Sequence, residues 1–124
     1  MTDTIKSFTQ LRTWQKAREL AVSAYRVTMH LPRTELYGLS SQLQRTSVSV
    51  AANIAEGFSR NTEKEKINFY GTALGSLTEV QSHLYIASDL KFVSKNELDT
   101  LINETIELQK MINGLKKSAK GRNT

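Results

Sequence analysis

Apolar residues recur at three- and four-residue intervals along most of the 124-residue chain, and no segment shows sustained apolar–polar alternation of period two. Such a pattern builds helices, because side chains three and four apart share one helical face. The punctuation sets their number. Pro32, the only proline, disfavours helical geometry at Leu31. Thr62 with Glu65 in "TEKE", and Ser94 with Glu97 in "SKNE", have the spacing of a capping box, in which both side chains accept from orphan backbone N–H groups. Three breaks leave four helices.

The first helix is predicted over about residues 13–31, after a preamble containing Phe8 and Leu11. Trp14, Ala17, Ala21, Ala24 and Thr28 repeat at helical spacing, with Leu20, Val27 and Leu31 widening the stripe. The second starts near Glu35 or Leu36, with Thr34 as N-cap, and ends around residues 57–60, where Gly57 reads as a C-terminal signal. The third carries Ile67, Tyr70, Leu74, Leu77, Val80, Leu84 and Tyr85 toward Leu90. The fourth runs to about residue 118, on a seam of Leu101, Thr105, Leu108, Ile112 and Leu115 that suits near-parallel packing. The expected architecture is all-α: one antiparallel up-down-up-down four-helix bundle over residues 1–124, with a short flexible N-terminus (1–7) and a basic C-terminal tail (117–124).

The second helix is unusual in its small side chains, as "SVSVAANIAEGFSR" (47–60) shows. At about 100° per residue, Leu36, Leu39, Leu43, Val50 and Ile54 fall in one sector, the expected core face. Val48, Ala51 and Ala55 form a second apolar sector, which one bundle core does not need and contact between copies would explain. Gly71 and Gly75 in "GTALGSLTE" point the same way, since each costs roughly 1 kcal/mol against Ala inside a helix and close backbone contact would justify them. The third sector is polar: Gln42, Arg45, Ser49, Asn53, Glu56 and Arg60. Arg45 and Glu56 are too far apart to bond within one straight helix, so each needs another partner, whereas Asn53 and Glu56 lie one turn apart. This row is either a network fixing register or a ligand surface.

Charge permits nucleic acid without requiring it. The net charge is +5, with cations Arg12, Lys16, Arg18 and Arg26 on the first helix and Lys116, Lys117, Lys120 and Arg122 near the end, where no acid follows Glu107. The first-helix cations do not share one face, and aromatic–basic interleaving of the single-strand-binding kind is absent. There is no cysteine, so disulfides, thiolate metal sites and a cysteine nucleophile are excluded. His30 and His83 fall on separate helices without metal-site spacing, and no phosphate-binding glycine loop occurs. A non-enzyme without cofactor or metal is expected. Neither a signal peptide nor a membrane-spanning run is legible, so a cytoplasmic setting is expected.

"LYGLSSQLQRTSVSVAANIAEGFSR" and "FYGTALGSLTEVQ", with "LRTWQKARELAV" before and "INGLKKS" after, resemble the four-helix-bundle proteins encoded within intervening sequences of 23S ribosomal RNA genes. The resemblance covers roughly residues 8–118 and implies a left-handed antiparallel bundle assembling as a homopentamer. Relatives of the same fold are accessory proteins of diversity-generating retroelements, which contact a reverse transcriptase and nucleic acid through a basic surface. Gln42, Arg45, Asn53, Glu56, Gly57, Gly75, Ser76 and Glu79 match the family motif, without an assigned chemical role. Two functions remain open. One is a self-assembling protein that binds RNA or DNA, in which five copies would gather a charge of about +25. The other is a scaffold or accessory subunit for a polymerase or a ribosome-associated protein.

Overall fold

A 3-10 turn, Phe8–Gln10, opens the fold and four helices follow: α1 (Arg12–Thr28), α2 (Leu39–Ser59), α3 (Glu63–Asp89) and α4 (Lys95–Lys120). This is a computed structural model, and the residues it describes are 4–121. Each helix packs on the next in sequence and α1 also touches α4, giving the up-down-up-down bundle. The α2–α3 seam is the most extensive and the α1–α4 seam the thinnest.

Of each expected capping box the hydroxyl half forms, and no bond from the cap N–H to the Glu65 or Glu97 carboxylate is made among the described residues. The Thr62 hydroxyl accepts from the Glu65 N–H at 3.2 Å, and the Ser94 hydroxyl accepts from the Glu97 N–H at 3.1 Å. The α1–α2 connection differs from expectation. Residues 33–35 make a separate 3-10 turn, Thr34 caps nothing, and α2 begins at Leu39 after Gly38. Leu36 therefore lies outside the helix and is exposed rather than in the core. The break between that turn and α2 falls at Gly38, whose backbone (φ −113°, ψ −109°) lies outside the helical region.

Leu43, Val50 and Ile54 from α2 meet Leu77, Val80 and Leu84 from α3 and Leu108 and Ile112 from α4, all buried. From α1 the deepest residues are Ala17, Leu20, Ala24 and Val27, while Trp14 and Ala21 are half-buried at the edge. Thr105 of the α4 seam is fully buried, and its hydroxyl is satisfied by donating to the Ile102 carbonyl and accepting from Gln81.

Residues 1–3 and 122–124 of the two ends expected to be flexible lie outside the described residues. The Lys6 and Ser7 N–H groups donate to the Gln10 side chain, and the Ser7 hydroxyl accepts from Thr9 N–H, so residues 6–7 are tied to the first turn. Helix α4 continues through Lys117 to Lys120 because Ala119 is buried against the bundle.

Candidate assembly and nucleic-acid surfaces

The polar row of α2 faces α3 along the outside of their seam, and it is mostly closed on itself. Arg45 donates to Gln42 at 2.6 Å, and Glu56 pairs with Arg60 at 2.6 Å, so each finds its partner within its own helix. Asn53 bonds not to Glu56 but back to Ser49, whose hydroxyl meets that of Ser76 across the seam at 2.9 Å. Glu79 is exposed and makes no ion pair among the described residues. One turn on, His83 has an Nε2 atom buried without a hydrogen-bond partner. Burial lowers its pKa from 6.5, Glu79 opposes that shift and Arg45 adds to it. Sequence reasoning missed His83 as part of this row because its neighbour, Arg45, lies on another helix.

Gly57 has a different role from the one its position suggested. It sits inside α2 without a left-handed backbone, and a Cβ there would lie 2.6 Å from the Tyr70 ring. The missing side chain lets that ring lie against α2. Lys66 completes this end, donating to the carbonyls of Gly57 and Phe58 and so satisfying the C-terminus of α2 from α3. Gly71 and Gly75 behave oppositely: a Cβ at either would meet nothing within 4 Å. Within one bundle they therefore bring no helices together, and they leave a bare strip on α3.

The second apolar sector of α2 splits. Ala51 and Ala55 are half-buried, and Ala51 packs against the core. Val48 is 45% exposed and lines an open groove with Ala21, Val22, Tyr25 and Met29 of α1 and the turn after it. Met29 is 81% exposed and Tyr25 46%, an unusual concentration of large apolar surface. Arg18 and Arg26 stand at the groove's edge, and among the described residues no carboxylate lines it. Val22, Tyr25 and Met29 were legible as an i, i+3, i+7 ridge beside the core stripe, but only the fold shows Val48 completing it.

The candidate phosphate-binding residues fall into separate groups. Lys16 pairs with Glu107 of α4 at 3.4 Å, and the Arg18 guanidinium lies over the Trp14 ring at 4.8 Å. Arg18 and Arg26 belong to the groove. Arg12, Lys116, Lys117 and Lys120 sit at the end where α1 starts and α4 finishes, and Arg122 lies outside the described residues. Among the described residues, no group of three His, Asp or Glu side chains could hold a metal ion, and no helix is long and apolar enough to cross a membrane.

A family model described as the 23S rRNA-intervening sequence protein matches residues 9–114. A solved structure similar in fold is that of a protein of unknown function from the S23 ribosomal protein family of Bacteroides thetaiotaomicron. It is 22% identical, with a TM-score of 0.78 over 85% of this chain and 98% of the other. No curated protein matches.

Proposed function

The chain belongs to the 23S rRNA-intervening sequence protein family, and from that premise we propose that it is a non-enzymatic bundle that assembles into a ring-like homopentamer and binds RNA or DNA through basic surface. The observation that carries the assembly is the α1–α2 groove, where Val22, Tyr25, Met29 and Val48 expose apolar surface that burial against another copy would remove from water. The bare glycine strip lies on α3, which is not part of the groove. Two unlike surfaces on one chain favour head-to-tail contact, and a head-to-tail contact that closes makes a ring. The excess of positive charge supports the nucleic-acid reading, since repetition around a ring strengthens the field felt by a polyanion.

Light-scattering mass after size exclusion, with and without RNA and at low and high salt, tests both parts. The expected result is a mass of about five chains that rises with RNA and reverts in high salt. Val48→Glu is expected to lower the mass by placing a charge in the contact. A monomeric wild type would sink the assembly. A stable oligomer indifferent to RNA would favour the alternative, a scaffold for a polymerase or a ribosome-associated protein, whose helix could use the same groove.

A further inference from the structure

Charge is divided very unevenly between the two ends of the bundle, and we propose that nucleic acid is held at one of them, so that the assembled ring has one binding rim. This rests on the assembly and nucleic-acid reading above. The Lys16–Glu107 pair sets the level of α1 against α4, and the approach of Tyr70 to Gly57 sets that of α2 against α3. Beyond those levels the four helices meet around one half-enclosed cavity, to which Leu11, Phe58, Tyr70 and Ala119 all contribute. In residues 4–15 and 108–121 every charged side chain is a cation: Lys6, Arg12, Lys110, Lys116, Lys117 and Lys120. Residues 57–70 add Arg60, Lys64 and Lys66, with the carboxylates Glu63 and Glu65. That end thus holds nine cations against two carboxylates, and the rest of the described chain seven against nine.

The whole positive excess is therefore local. Lys66 is engaged by the α2 carbonyls and Arg60 by Glu56, which leaves phosphate contact to Arg12, Lys64, Lys110 and the α4 lysines. The apolar groove runs along the bundle between two antiparallel helices, so copies joined through it stand side by side. Cyclic symmetry then repeats the same end on the same rim. One rim gathers the cations. The other, around the start of α4, mixes Glu97, Asp99 and Glu104 with Arg33, Lys91 and Lys95 and gathers no such excess. A phosphate backbone is drawn to the first and not to the second.

Two charge-reversing pairs test this with a fluorescein-labelled single-stranded RNA oligonucleotide, read by anisotropy alongside light-scattering mass. Lys117→Glu with Lys120→Glu alters the basic end. Arg33→Glu with Lys91→Glu makes the same change in net charge at the opposite end, on exposed turn residues. The basic-end pair is expected to weaken RNA binding by about tenfold or more at low salt and to flatten its salt dependence, while the far-end pair stays within about twofold. All masses should match the wild type. Wild-type binding that responds equally to both pairs, or more to the far-end pair, overturns this inference alone. A wild type that binds no RNA overturns the nucleic-acid reading with it, and a monomeric wild type overturns the rim.

Discussion

Helix α2 has one flank that is closed and one that is open. Toward α3, small residues bring the helices together: Gly57 admits the Tyr70 ring, and Ser49 and Ser76 bond across the seam. Toward α1, small residues leave room. Ala21 and Val48 floor a groove whose walls, Tyr25 and Met29, remain largely in water, and one hydrogen bond, Gln44 to Thr28 at 2.9 Å, ties the helices across it. The same residue sizes thus serve opposite ends, depending on whether a neighbouring side chain fills the space they leave.

The largest test of that contrast sets Ile54 against Val48. Ile54 is fully buried, so Ile54→Ala should cost about 2–5 kcal/mol in urea unfolding. Val48→Ala should change the stability of the separated chain by no more than about 0.5 kcal/mol. Equal losses would mean that the groove flank is as closed as the α3 flank.

Gly57→Ala comes next, at about 1–3 kcal/mol, because the new Cβ and the Tyr70 ring cannot share the space. The penalty should shrink in a Tyr70→Leu background. A penalty unchanged there would place the strain elsewhere than at this contact.

Gly75→Ala should act in the opposite direction and stabilise the separated chain by roughly 0.5–1 kcal/mol, since nothing among the described residues opposes a Cβ and helix propensity improves. Destabilisation in thermal melts of the monomer would contradict the open face.

The smallest effect is a pH dependence of the closed flank. His83 has its pKa lowered from 6.5, chiefly by burial, so below about pH 6.5 the unfolded chain binds a proton more readily than the folded one. Stability should therefore fall as pH drops through that value and level off below the folded-state pKa. Melting temperatures of wild type and His83→Gln compared at about pH 7.5 and about pH 5.5 should show a steeper acid loss in the wild type. Parallel slopes would remove His83 from the account.

Most of the architecture was legible because it depends on local chemistry. Thr62 and Ser94 cap where their spacing predicts, the first helix ends ahead of Pro32 (at Thr28, about a turn before the expected boundary), and Leu43, Val50, Ile54, Leu108 and Ile112 enter the core by periodicity. The family resemblance drawn from "NIAEG" and "GSLTE" agrees with the match over residues 9–114. The candidate surfaces were less legible. Periodicity gives an angle around a helix axis but not the identity of what lies opposite.

Sequence alone therefore determined four helices, their order and their core faces, since capping, proline geometry and apolar spacing act over a few residues. Tertiary structure decided what the small residues do and where the charge gathers. Gly57 meets a ring thirteen positions away while Gly71 and Gly75 meet nothing among the described residues, and Arg12 joins Lys116, Lys117 and Lys120 at one end although most of the chain separates them. Contacts and fields depend on distance in space, which antiparallel packing sets and no local pattern records.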